Sequence, residues 1–198
     1  MKFLQIFLTL LIAGSLVACG GSNTRPDSSN TAPTATVAST STVSAAANTA
    51  SEGAIRVRLT TPFDPKGMND PAVMNECNIH AQLPDFVRDQ AKAKGIEVVL
   101  VPEVSAEDKG KNLVLSFMRT QSSGNAFTGH YKYTEIKAVL YEDGKQLADL
   151  TAGRRSGGGA FGGYKGSCSV MGRTVRTLGE DVAQWLVNPV AGARAGNL

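Results

Sequence analysis

This sequence of 198 residues has few of the residue types on which most enzymes and nucleic-acid-binding proteins rely. It contains two histidines, three cysteines and one tryptophan, and its aromatic content is 6%. With so few histidines and cysteines, a catalytic metal site would have to use carboxylates, and no metal-ligand spacing occurs. The formal net charge of +3 is too small to predict a nucleic-acid partner. We therefore expect no metal, no cofactor and no nucleic acid.

The long hydrophobic run that the sequence does have is at its beginning. Lys2 precedes an apolar segment over residues 3–17, and this segment is too short for a membrane-spanning helix with stop-transfer flanks. Its three-part shape is typical of a signal peptide over residues 1–18. The segment ends in Leu16-Val17-Ala18-Cys19, which resembles the lipobox of a bacterial lipoprotein.

The resemblance implies how this end of the chain is processed. Lipoproteins are cleaved before the lipobox cysteine, here Cys19, which carries a diacylglycerol on its sulfur and an acyl chain such as palmitate on its new N-terminus. Gly20 is not an acidic retention signal, which by the same resemblance favours the outer membrane with the protein facing the periplasm. Exposure at the cell surface, and the choice between the inner and outer leaflet, stay open.

Residues 19–53 are expected to be the lipidated cysteine and a tether. The segment is almost entirely Ser, Thr, Ala, Asn, Gly and Pro, and its charges are Arg25, Asp27 and Glu52. Such a composition buries too little apolar surface to offset the entropy of ordering. We expect a disordered tether with an average span of about 30 Å.

A globular α+β domain is expected over residues 54–189, followed by a flexible C-terminal end over 190–198. Alternating apolar residues predict strands, and apolar residues spaced by threes and fours predict helices. The predicted order is β-α-β-β-β-β-α, with two helices packed on one face of a mostly antiparallel sheet. The strands are predicted over 55–60, 96–101, 112–120, 131–141 and 145–152, and the helices over 84–94 and 169–187. This layout resembles that of small envelope lipoprotein domains.

A β-hairpin is predicted at Asp143-Gly144, because this residue pair is preferred in two-residue type I′ turns. The turn would place Leu140 opposite Leu147 across the two strands. Residues 62–71 are predicted to be a loop.

Proline and glycine mark particular positions in the two predicted helices. Pro84 is expected as the first residue of its helix, with an earlier start near Glu76 as the alternative. Gly172 and Gly179 each cost the last helix about 1 kcal/mol, so they predict that its backbone lies close against the sheet.

Cys77 and Cys168 are predicted to form a disulfide. Two remaining cysteines in an exported chain are typical of a single bridge, and each lies near the start of a predicted helix. Closing a loop of about 90 residues would contribute up to about 5 kcal/mol. The alternative is that Cys168 is the nucleophile of a thiol-dependent enzyme, with His80 or His130 as its base.

The segment over residues 153–166 is rich in glycine and interleaves cations with aromatic rings. It matches the nucleotide-binding pattern G-x-G-x-x-G by count, but no acidic residue follows about 20 positions later at the end of a second strand, so no nucleotide site is predicted. The first interpretation is a solvated connection whose glycines let the chain cross a sheet edge, and the alternative is a contact surface for an acidic or polymeric partner. The candidate binding residues are Arg154, Arg155, Phe161, Tyr164 and Lys165.

The sequence contains no G-x-S-x-G motif and no paired carboxylates with supporting context, so it predicts no catalytic residues and no enzyme. The leading hypothesis is a membrane-anchored, non-enzymatic periplasmic accessory lipoprotein. Its small domain would bind an envelope protein complex or a cell-wall component. The alternatives are a thiol-dependent enzyme that uses Cys168 and an oligomeric secretion or surface-assembly subunit.

Overall fold

The computed structural model describes residues 53–125, 129–157 and 165–198, which fold as an α+β domain with a seven-stranded mixed sheet. The predicted α+β class and the mostly antiparallel sheet are confirmed. In chain order the elements are β1 (Ile55–Arg58), β2 (Phe63–Asn69), α1 (Pro71–Glu76), α2 (Ile79–Lys92), β3 (Val98–Val101), β4 (Lys111–Asn125), β5 (Gly129–Glu142), β6 (Lys145–Ser156), α3 (Ser167–Val187) and β7 (Ala193–Gly196).

The sheet is built around three long antiparallel strands. Its order is β3-β1-β4-β5-β6-β7, and β2 pairs with β4 beside β1. Strand β5 pairs antiparallel with both β4 and β6. The four short strands all join the sheet through parallel pairs, β1 and β2 on β4, β3 on β1, and β7 on β6.

The core lies between one face of this sheet and the helices. Alternate side chains of a strand point to opposite faces, and one set from each long strand is buried. The set comprises Leu113, Leu115, Phe117, Ile136, Ala138, Leu140, Ala148, Leu150 and Ala152. Burying one Leu, Ile or Phe side chain contributes about 1.5–3 kcal/mol, so this face accounts for much of the stability.

Helix α3 supplies the opposite side of the core with the apolar stripe that the sequence predicts. Its buried stripe comprises Val170, Met171, Val175, Leu178, Val182, Ala183, Trp185 and Leu186. The Trp185 indole N–H donates to the carbonyl of Val190 at 3.0 Å, which satisfies the polar atom of a mostly buried ring.

The glycines of α3 lie against α2, so the prediction of a close approach to the sheet is wrong. A Cβ atom on Gly179 would lie 2.6 Å from Cβ of Phe86, and one on Gly172 would lie 3.4 Å from Oε1 of Gln82. Both partners belong to α2. The small residues therefore let two helices approach each other on the same face of the sheet.

Helix α2 begins earlier than predicted, and Pro84 lies inside it. A proline within a helix removes the hydrogen bond to the carbonyl four residues earlier, which here belongs to His80. That carbonyl instead accepts from the backbone N–H of Thr61 at 2.8 Å. The buried Pro84 is tolerated because a neighbouring segment takes the freed acceptor.

The hairpin at Asp143-Gly144 is present, with φ of 50° and 83° as a type I′ turn requires. The predicted pairing of Leu140 with Leu147 is wrong, because the pairing register shifts by one residue between Tyr141, which pairs with Gln146, and Leu140. Leu140 faces the buried Ala148, and Leu147 is exposed. A bulge in β6 therefore decides which residues reach the core.

Three elements lie where the sequence predicts none. Strand β2 and the start of α1 occupy the predicted loop over 62–71, and β7 occupies part of the predicted flexible end over 190–198. Strand β2 contains Pro65 and Gly67, residue types depleted in strands. A Cβ on Gly67 would lie 2.5 Å from the carbonyl oxygen of Met118, so glycine permits a close backbone approach there.

The predicted signal peptide over 1–18 and the tether over 19–53 lie outside the described residues, apart from Gly53. None of the helices in the described ranges is both long and apolar enough to cross a membrane.

Candidate functional site

Some of the predicted site residues fall outside the described ranges. Cys19, Phe161 and Tyr164 lie there, as does the side chain of His130. Lys165 is described, half-buried and just ahead of α3. The described members of the predicted binding surface are thus Arg154, Arg155 and Lys165.

Arg154 lies on the helix side of the sheet and forms an ion pair with Asp181 of α3. Its Nε donates to Oδ2 of Asp181 at 2.7 Å, and its Nη2 donates to Oδ1. The two side chains are 30% and 13% exposed. Hydrogen bonding to Asp181 raises the pKa of Arg154. Such a two-pronged contact holds β6 against α3, so Arg154 is occupied within the fold.

Arg155 lies on the opposite face of the sheet, as strand alternation requires. Its guanidinium carbon lies 5.9 Å from the ring centroid of Tyr131, a partly exposed residue of β5. The residues of the predicted binding surface therefore do not form one surface, because Arg154 and Arg155 lie on opposite faces of the sheet.

The face that carries Arg155 is rich in cations and tyrosines, and we call it the basic sheet face. Lys137, Arg155 and Arg194 are exposed on it, and Arg119 is half-exposed. The register of β4, β5, β6 and β7 places all four on the side away from the core. The basic sheet face comprises Arg119, Tyr131, Tyr133, Glu135, Lys137, Arg155 and Arg194.

Tyr133 organises the centre of the basic sheet face. Its hydroxyl donates to Oε2 of Glu135 at 3.0 Å, and the guanidinium of Arg119 lies 5.7 Å from its ring centroid. Burial, with a smaller contribution from the hydrogen bond to Glu135, raises the pKa of Tyr133 to about 12. A Cβ on Gly153 would lie 2.6 Å from the Tyr133 hydroxyl, so glycine at that position leaves room for the ring.

The carboxylates near this face already have partners within the protein. Glu135 accepts from Tyr133, and Asp149 accepts from the backbone N–H of Gly192 at 3.0 Å. Four cations therefore face outward against two engaged acids. This surface can attract an acidic partner and hold it through guanidinium and aromatic contacts.

A second polar cluster lies under α3, on the core side of the same strands. Lys132 is 1% exposed, and its Nζ donates to Oγ of Ser122 at 2.7 Å and to the carbonyl of Ser123 at 3.2 Å. Desolvation lowers the pKa of Lys132, and the charge of Asp70 partly opposes this shift. The neighbouring Thr134 hydroxyl lies 2.8 Å from that of Thr174.

The burial of Lys132 was not predicted from the sequence, although the alternation of β5 indicates it. Counting back in twos from Ile136 along β5 gives Thr134 and Lys132, so the alternation itself assigns this lysine to the core face. Lysine is rarely buried without a charged partner, so residue type alone does not point to a buried Lys132.

Cys77 and Cys168 form the predicted disulfide, with their Cα atoms 5.1 Å apart. The bridge connects the junction of α1 and α2 to the first turn of α3. The sulfur that the thiol-dependent enzyme alternative requires is therefore bonded. Among the described residues, no group of three or more His, Cys, Asp or Glu side chains is placed to hold a metal ion.

No family model matches this chain, and no curated protein matches it. Several solved structures are similar to part of this chain. A protein of the DUF330 family from Xanthomonas campestris has a TM-score of 0.44 at 15% identity, covering 70% of this chain and 87% of its own. The PelC dodecamer from Paraburkholderia phytofirmans has a TM-score of 0.41 at 10% sequence identity, and the match covers 65% of this chain and 86% of the PelC chain. The lipoprotein GNA1162 from Neisseria meningitidis has a TM-score of 0.39 at 14% sequence identity, and the match covers 66% of this chain and 99% of the GNA1162 chain. With TM-scores below 0.5, these likenesses assign no function to this chain.

Proposed function

We propose that this protein is a lipid-anchored, non-enzymatic accessory protein of the bacterial envelope, whose basic sheet face binds an acidic partner. The observation that carries the proposal is the composition of that face, four outward cations beside two tyrosines whose nearby carboxylates are already engaged. The partner is an envelope protein complex or a cell-wall component with acidic groups.

The lipobox supports the location in this proposal. Acylation at Cys19 would anchor the chain, and the segment over 20–53 would let the domain reach a partner away from the membrane. We place the protein in the outer membrane, facing the periplasm. A Cys19→Ser variant should incorporate no labelled palmitate and should leave the membrane fraction. Retained label in that variant would contradict the anchor.

The basic sheet face is tested by reversing two exposed charges. Lys137→Glu together with Arg155→Glu leaves the core untouched and converts the face from cationic to mixed. We expect the double variant to lose the partners that in-cell cross-linking and mass spectrometry identify for the wild type.

A charge reversal on the helix side provides the matched control. Lys92 is exposed on α2, away from the basic sheet face, and Lys92→Glu should keep every cross-link. If the Lys137→Glu/Arg155→Glu variant folds and keeps the same partners as the wild type, the binding proposal is wrong. The identity of the cross-linked partner shows whether the domain binds a protein complex or a cell-wall polymer.

A further inference from the structure

A shallow cavity of about 280 Å³, open to solvent, lies where β1 ends, beside the first turn of α2. It is distinct from the basic sheet face. Its lining combines an apolar wall with four polar side chains, and the residues are Arg58, Thr60, Thr61, Pro62, Phe63, Met74 and His80.

Three of the four polar side chains of this cavity each contain a buried atom that has no hydrogen-bond partner. The atoms are Nε of Arg58, Oγ1 of Thr61 and Nδ1 of His80, and Thr61 is 2% exposed. In the described part of the chain the other such side-chain atom belongs to Gln82. Buried polar groups in native proteins are nearly always hydrogen-bonded to protein or to ordered water, so three unpartnered atoms beside one cavity make it a candidate site for a ligand.

The backbone fixes two of these side chains next to each other. The N–H of Thr61 donates to the carbonyl of His80, the acceptor that Pro84 leaves free within α2. This bond holds the segment after β1 against the start of the helix. Thr61 and His80 therefore both line the cavity.

The electrostatics of the cavity favour an anion. His80 is the second residue of α2, whose N-cap residue Asn78 makes no side-chain capping bond, and the N-terminal end of a helix attracts negative charge. The guanidinium of Arg58 adds a full positive charge. Its Nη2 contacts Glu103 at 2.9 Å, and the side chain of Glu103 is 75% exposed and can turn into solvent.

The hydrogen-bonding pattern narrows the class of ligand. Arg58 can only donate, while the Thr61 hydroxyl and a His80 ring protonated on Nδ1 can also donate. A carboxylate accepts all three bonds, and Phe63 and Met74 offer apolar surface to a short stem. We propose that this cavity binds a carboxylate on a short apolar stem, either a small free acid or an acidic peptide side chain. Since the Thr61 and His80 atoms are shielded, binding turns them toward the ligand.

The two histidines of the chain make a direct test possible. With ¹³C-labelled histidine in the full chain in detergent, sodium propionate should shift the ring signals of His80 and saturate at millimolar concentration. His130 serves as the internal reference, and a His130→Gln variant assigns the signals. Propionamide has the same shape without the charge and should leave His80 unchanged. An equal response to propionamide, or no saturable response to propionate, overturns the proposal.

Variants separate binding at this cavity from a general salt effect. Thr61→Val keeps the shape and removes one donor, so it should weaken propionate binding about tenfold, the loss expected for one hydrogen bond to a charged group. Arg58→Gln should weaken it further. Unchanged propionate affinity in a folded Thr61→Val protein contradicts the site.

The source of the carboxylate is decided with blocked peptides. A blocked alanine-glutamate-alanine peptide that shifts His80, where its glutamine counterpart does not, identifies an acidic side chain as the ligand. Propionate binding without peptide binding identifies a small free acid. These outcomes do not depend on the basic sheet face, so either proposal can fail alone.

Discussion

A single buried lysine makes the stability of this domain depend on pH. The ammonium of Lys132 bonds to one hydroxyl and one carbonyl, and desolvation lowers its pKa. Because the folded protein releases this proton more readily than the unfolded chain, the folded state binds fewer protons between the two pKa values. Stability from this group therefore rises as the pH rises from the folded pKa toward about 10.4, the value of an unfolded lysine.

Lys132→Met should reveal this dependence. The variant removes the buried charge, so its free energy of unfolding should exceed that of the wild type by the largest margin near pH 7. The difference should shrink as the pH approaches 10, since the wild type then loses the charge too. Urea unfolding at several pH values measures it. A difference between the two proteins that does not vary with pH would show that Lys132 is not held in a desolvated site.

Arg154 and Arg155 give a second prediction at the scale of one residue. Arg154→Ala should lower the free energy of unfolding by about 1–3 kcal/mol, because Asp181 loses its charged hydrogen bonds. Arg155→Ala should change it by less than about 0.5 kcal/mol, since this side chain is exposed. Adding Asp181→Ala to Arg154→Ala should cost little more than either change alone. Equal losses for the two arginine variants would contradict their assignment to different faces.

At the scale of elements, the contact between α2 and α3 depends on one glycine. Gly179→Ala would place its Cβ 2.6 Å from Phe86, and such overpacking costs about 1–3 kcal/mol. Gly172→Ala is the matched control, because its nearest atom is the end of the Gln82 side chain at 3.4 Å. That change should be neutral or should stabilise the helix by up to about 1 kcal/mol. Thermal unfolding of both variants tests whether Gly179→Ala is the less stable of the two.

The elements that the sequence predicts best are those whose patterns repeat over many residues. The β4–β6 strands and α3 follow their apolar periodicity, and Asp143-Gly144 marks its turn. The errors arise where tertiary contacts override a local preference. Pro84 by itself predicts a helix start, but the helix continues through it because the N–H of Thr61 donates to the carbonyl of His80. No local pattern predicts the bulge that exposes Leu147.

At the scale of the whole molecule, the disulfide joins the two helical segments. Replacing Cys77 and Cys168 with alanine should lower the free energy of unfolding by about 2–5 kcal/mol. Reductant should destabilise the wild type by a similar amount and leave the double variant unchanged. A wild-type protein whose two cysteines react with a thiol reagent without reduction would contradict the bridge.

The sites are less predictable from sequence than the fold. The cysteine pair could be predicted because only two cysteines remain after Cys19, whereas the binding role of Arg155 stays a prediction. The separation of Arg154 from Arg155 follows from strand alternation once β6 extends to Ser156. The cavity beside α2 could not be predicted, since it brings together Arg58, Thr61 and His80 across a loop and two elements.

The disulfide also limits how the domain responds to mechanical force. A partner held on the basic sheet face and a pull from the N-terminal side would load β1 first, because the described chain enters the fold there. Beyond Cys77 the load divides between two arms of the chain, since the bridge closes a segment with a sequence separation of 91. The long strands β4, β5 and β6 all lie inside that closed segment. The bridge therefore opposes further extension, so β1 and β2 should detach before the strands that carry most of the basic sheet face unfold.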